Sequence, residues 1–218
     1  MELPTIIVNF KIYEQASGDS AVELARVHEK VAKETGKSIG VAVSPLDLLK
    51  VTEAVDIPVF AQHVDPVGFG SGTGKISPQM VKDCGAFGTL LNHAEFQVGD
   101  DVLKKSIEMA KDAGLYVVAC ANTPEAAGKI LEFGPDLIAV EPPEMIGGDL
   151  SVSKAEPAII ENAVGKCGDK ILVGAGIKDG EDVRIALALG AKGVLLASGV
   201  TKAADPYAVL MDLASGLS

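Results

Sequence analysis

EDVRIALALGAKGVLLASG, residues 181–199, contains the unit from which the rest of the chain is built. Through EDVRIALALG the apolar residues recur every three or four positions. The pattern stops at Gly190, as a helix closed by a glycine C-cap would. GVLLA (193–197) is then a short unbroken apolar run, the mark of a strand buried on both faces. The same alternation extends outward. Further apolar runs are TIIVNF from Thr5, IGVAV from Ile39, IPVFA from Ile57, FGTLL from Phe87, YVVACA from Tyr116, LIAV from Leu137 and ILV from Ile171. Helix-patterned segments such as SAVELARVHEKVAKE (20–34) and VLKKSIEMAKDAG (102–114) lie between them. Eight such runs with no linker-like break predict a single (β/α)8 barrel domain over residues 1–218. A doubly wound open sheet is the alternative, but it normally has fewer strands and a recognisable nucleotide loop.

Composition narrows the partners. Lys and Arg total 19 against 30 Asp and Glu, a formal charge of −11. Such a surface repels nucleic acid and anionic membranes, so neither is expected as a partner. A small anion would need a local positive site. The opening MELPTIIVNFKIY does not read as a secretory leader, and no apolar stretch is long enough to span a bilayer. Cys84, Cys120 and Cys167 are odd in number and form no CxxC pair, so no disulfide framework or structural metal is expected. A reducing cytoplasm fits best.

The residues just past each run are polar: Asn9 with Lys11, Ser44, Gln62 with His63, Asn92 with His93, Asn122, and Glu141. Glycine-rich GAG (174–176) and ASG (197–199) follow the last two runs. In a barrel these positions share the C-terminal rim, where barrel enzymes carry their chemistry. Strand alternation would give Asn9 and Lys11 a common face. His93 leads toward a helix, whose positive end would favour a neutral imidazole. Glu141 precedes Pro142, which biases it toward extended backbone and keeps it as the last strand residue. Glu144 reads as a solvated loop acid.

Two glycine-rich stretches fail as nucleotide motifs. GFGSGTGK (68–75) has Phe69 where a phosphate loop needs glycine, and Ile76 follows Lys75 in place of Ser or Thr. GAGIKDG (174–180) has Asp179 at the third glycine of the dinucleotide fingerprint. His28 reads as a packed or surface helix residue, and His63 as a loop histidine.

VNFK (8–11), TGKISP (73–78), LNHAE (91–95), AVEPPEMIG (139–147), GAGI (174–177) and GVLLASGVTKAADP (193–206) together resemble triosephosphate isomerase in its short, archaeal form. The resemblance runs from the first strand to the last helix. It implies a cofactor-free, metal-free isomerase of a small phosphorylated triose, serving glycolysis and gluconeogenesis. Glu141 would be the base, and His93 a neutral donor to the substrate oxygens. Lys11 would stabilise negative charge, with Asn9 fixing the oxygen and Phe10 among the substrate-contacting residues. Only one lysine is then at hand, so backbone donors at Gly176, Ala197 and Ser198 would hold the phosphate. Ile146 and Gly147 would close over it from a lid hinged at Pro142-Pro143. The loop bearing Thr73 would reach into a neighbouring subunit of a homo-oligomer, dimer or tetramer.

The lid departs from the family's usual Ile-Gly-Thr-Gly: here it reads IGGD (146–149), and weaker substrate affinity is expected. Pentose-phosphate epimerases need a His, Asp and His metal set that the rim lacks. A barrel that binds a phosphorylated metabolite without turning it over is the competing reading. Lys11, His93 and Glu141 standing together weigh against it.

Overall fold

The computed structural model describes residues 1–142 and 155–217. Eight parallel strands close into a barrel in sequence order. They are β1 (Thr5–Asn9), β2 (Ser38–Val43), β3 (Val59–Ala61), β4 (Gly88–Leu91), β5 (Tyr116–Ala121), β6 (Leu137–Val140), β7 (Ile171–Gly174) and β8 (Gly193–Leu196). The β1–β8 pairing, with Ile7 opposite Leu195, completes the ring. The described helices are α1 (Asp19–Thr35), α2 (Leu48–Thr52), α3 (Pro78–Asp83), α4 (Asp100–Asp112) and α5 (Pro124–Leu131). They continue with α6 (Pro157–Cys167), α7 (Gly180–Ala188), α8 (Ser198–Thr201) and α9 (Pro206–Ser215).

The strands are apolar throughout because both faces are covered. Ile6 and Val8 pack outward under the helices, while Ile7 packs inward with Phe60, Leu90, Leu172 and Leu195. The lower barrel is closed by Phe60 against Phe87 and Tyr116, with ring centroids 5.5 and 6.4 Å away. This period of two also builds the site. Asn9 comes two residues after Ile7, Gln62 two after Phe60, and Glu141 two after Ala139, so each continues an inward-facing row to the rim.

The loops are anchored by local chemistry. α1 ends at Gly36, whose left-handed backbone (φ 67°) lets its N–H reach the Ala32 carbonyl. At α7 the Asp179 carboxylate accepts from the Asp182 N–H, while the buried Asp182 carboxylate accepts from the Lys178 N–H at 2.9 Å. That reciprocal cap pins the β7–α7 loop. His28 is packed rather than exposed: its Nδ1–H donates to the Leu24 carbonyl at 2.7 Å and its ring lies 5.3 Å from that of Phe10. Full burial lowers its pKa to about 4. His63 sits edge-on to Phe96, 3.7 Å from the Asp65 carboxylate.

Candidate active site

A cavity of about 400 Å³ opens on the C-terminal rim. Asn9, Lys11, His93 and Glu141 line one side, and Gly176, Ala197 and Ser198 line the other. Ser44 and Asn122, rim residues by sequence, do not line it.

Glu141 is held at the top of the β6 row by its N–H, which donates to the Ala121 carbonyl at 2.9 Å. The residue is 5% exposed. Room for it exists because its neighbour on β7 is a glycine: a Cβ on Gly174 would lie 2.2 Å from the Glu141 Cγ. Burial raises the Glu141 pKa above the usual carboxylate range, while His93, the Cys120 thiol and the Lys11 ammonium pull the other way. Burial first, and then the nearby Glu141 carboxylate, push the Cys120 thiol well up. Oε2 of Glu141 has no hydrogen-bond partner among the described residues and faces Nε2 of His93 at 3.7 Å. A buried carboxylate oxygen with nothing to accept is expensive unless something fills the gap. The gap lies across the cavity.

The expected helix does follow His93: α4 begins at Asp100. A nearer contact also acts on the ring, because the Glu95 N–H donates to Nδ1 of His93 at 3.1 Å. An accepting Nδ1 carries no proton, so in the neutral ring the hydrogen sits on Nε2, toward Glu141 and the cavity. The preceding Asn92 makes the turn in left-handed backbone (φ 59°), its side chain bonding to the Cys120 carbonyl and the Val98 N–H.

The expected shared strand face of Asn9 and Lys11 is also corrected. β1 ends at Asn9, and Lys11 lies beyond it with φ 50°. A turn brings them together, in which the Lys11 N–H donates to Oδ1 of Asn9 at 3.0 Å. Between them Phe10 turns away from the cavity, fully buried beside His28. Nζ of Lys11 pairs with Oε1 of Glu95 at 2.6 Å. Among the described residues the non-glycine left-handed positions are Lys11, Asn92 and Ala175, all on this rim. Each carries roughly 1–3 kcal/mol of strain, which the surrounding bonds must hold.

At the opposite wall, Ala175 and Gly176 are both left-handed (φ 71° and 75°), and Ala197 and Ser198 lead into the four-residue α8. The expectation of a single lysine is corrected: Lys178 also lines this wall. Ile146, Gly147 and the lid from Pro143 onward lie outside the described residues. Thr73 lines a neighbouring hollow, which it shares with Lys11, His93 and Glu95. Sequence reasoning assigned no role to Glu95, Gln62 or Lys178. Only Gln62 carried a usable signal, its place two residues beyond inward-facing Phe60.

A closed parallel barrel with a carboxylate, an imidazole whose Nδ1 accepts from the backbone, and a lysine converging at its C-terminal mouth defines a (β/α)8 enzyme of the proton-moving class. The family follows from comparison. The family model described as Triosephosphate isomerase matches residues 4–215. A triosephosphate isomerase of Methanosarcina acetivorans is 44% identical over 218 residues, covering 98% of each chain. One from Pyrobaculum calidifontis is 45% identical over 222 residues, covering all of this chain and 97% of its own. One from Metallosphaera sedula is 43% identical over 220 residues, covering 99% and 96%. The chain belongs to the triosephosphate isomerase family.

Proposed function

We propose that this chain interconverts dihydroxyacetone phosphate and D-glyceraldehyde 3-phosphate. The observation that carries the reading is Oε2 of Glu141 facing Nε2 of His93 at 3.7 Å, beside Lys11 in one cavity. Glu141 removes a proton from the hydroxyl-bearing carbon of the ketose. The electron pair of that C–H bond forms the enediolate C=C bond, and negative charge grows on the former carbonyl oxygen. Nε2–H of His93 donates to that oxygen, and the Lys11 ammonium and Asn9 amide stabilise it. His93 then exchanges the proton between the two enediolate oxygens, and Glu141 returns its own to the adjacent carbon. Oxidation state passes between neighbouring carbons, so the step balances with protons alone. Positioned acid–base groups of this kind contribute about 10²–10⁴-fold, and one well-aimed oxyanion donor about 3–4 kcal/mol. Backbone N–H groups at Gly176, Ala197 and Ser198 hold the phosphate.

The chain works in the cytoplasm as one barrel domain within a homo-oligomer, dimer or tetramer. Ile12 and Phe96 are 85% and 59% exposed on the hollow that Thr73 lines, an apolar rim suited to a second copy. Among the described residues no helix is long and apolar enough to cross a membrane.

The test is a coupled assay of triose-phosphate interconversion in EDTA, comparing wild type with Glu141→Gln. Fast turnover cut by orders of magnitude in the variant is the expected result. A folded wild type without turnover would leave a barrel that only binds a phosphorylated metabolite.

A further inference from the structure

Both Asn9, at the end of β1, and Lys11, just past it, are held by the residue that follows β3, Gln62. Nε2 of Gln62 donates to Oδ1 of Asn9 at 3.2 Å and to the backbone carbonyl of Lys11 at 2.9 Å, with the Ala42 carbonyl at 3.4 Å. The first bond completes the occupancy of Asn9: Oδ1 already accepts from the Lys11 N–H at 3.0 Å, so both its acceptor positions are taken. The amide is thereby oriented with its Nδ2 hydrogens left for the cavity, which Asn9 lines. The second bond ties down the peptide of Lys11, a non-glycine residue in left-handed backbone (φ 50°) that has every tendency to relax.

We propose that Gln62 is a positioning residue for the reaction: its single amide sets the orientation of Asn9 and holds Lys11 in the conformation that brings its ammonium to the substrate oxygen. This rests on the function proposed above. The role requires a donor. Three acceptors converge on Nε2, and a side chain that can only accept would face oxygen on every side.

Gln62→Glu keeps the length and shape of the side chain but presents a carboxylate to those oxygens, whereas Gln62→Met keeps the length with no donor. Near neutral pH both variants should lose about tenfold to a hundredfold in kcat/KM, the cost of misplacing reacting groups by roughly 1 Å. As the pH is lowered toward the carboxylic-acid range, the new carboxyl regains an O–H to donate. The Gln62→Glu to wild-type ratio should then rise while the Gln62→Met ratio stays flat. Lys11, His63, Asp65, His93, Glu95 and Glu141 are the charged or ionisable groups around this site, and all six are present in each of the three proteins, so the comparison is made between ratios measured at the same pH. Melting curves read by circular dichroism establish folding, and Gln62→Met carries the test alone should Gln62→Glu not fold. An active wild type matched by the folded variants, or a Gln62→Glu ratio that does not move with pH, overturns the role of Gln62. A wild type without turnover overturns the functional reading and this one with it.

Discussion

Gly174→Ala adds one methyl group to the inner face of β7 and should disable the proposed base, Glu141, without replacing it. The added Cβ would meet Glu141 at 2.2 Å from Cγ, 2.6 Å from Oε1 and 2.7 Å from Cδ. Carbon atoms settle about 3.5–4.0 Å apart, so the carboxylate must retreat by roughly 1.3 Å or more. The strand cannot yield in its place, because β7 is bonded to β6 on one side and β8 on the other. Backbone strain does not confuse the result: Gly174 is not among the positive-φ glycines, so alanine adopts the same conformation. Overpacking of this kind costs about 1–3 kcal/mol of stability. Misplacing a reacting group by about 1 Å costs about a hundredfold in rate. The assay is steady-state kinetics with a thermal melt. A lower melting temperature with kcat down by about two orders of magnitude is expected. Gly165→Ala in α6 is the control, since nothing lies within 4 Å of its added Cβ. As a helix-interior glycine replaced by alanine, it should gain about 1 kcal/mol and leave kcat alone. A Gly174→Ala enzyme with kcat within about threefold of wild type would refute the claim that this glycine clears the base.

Because burial raises the Glu141 pKa, the acid limb of kcat/KM should lie above the ordinary carboxylate range. The Cys120 thiol counteracts that rise, so Cys120→Ala should move the limb further up, as a pH–rate profile would read. His28 binds its proton less readily folded (about 4) than unfolded (6.5), so the unfolded chain takes up more protons in that window. Stability is therefore full above the higher value and lost as the pH falls toward the lower, by about 3 kcal/mol. His28→Leu should flatten melting temperature against pH between them. Lys178 stands at the mouth of the cavity in an acidic protein, so Lys178→Gln should raise KM for the triose phosphate about two- to fivefold with kcat little changed. The dependence of kcat/KM on salt should weaken in parallel.

The strand runs were legible almost to the residue: YVVACA and LIAV match β5 and β6, and the other runs differ by one or two positions at an end. Burial on both faces demands unbroken apolar segments, and that demand is written locally. Glu141 was legible for a related reason, since it follows the apolar run LIAV directly and precedes Pro142, which keeps it at the strand's end. Lys11 was placed there for the wrong reason. Alternation holds only while the strand lasts, and the turn after Asn9 is held by side-chain bonds that no periodicity encodes. The tautomer of His93 was likewise not legible, because it is set by the single backbone N–H of Glu95.

What the sequence determined by itself is therefore the ring of eight strands and the end of the ring that carries polar groups, Glu141 among them. Tertiary closure decided the rest. Glu95 reaches Lys11 across 84 residues, Gln62 reaches Asn9 across 53, and Gly174 makes room for a glutamate on another strand. Periods of two and of three to four residues are properties of one element and its immediate neighbours in the chain. Which oxygen meets which donor across the mouth depends on how eight strands are tilted and staggered when the sheet closes, and that geometry belongs to the whole barrel.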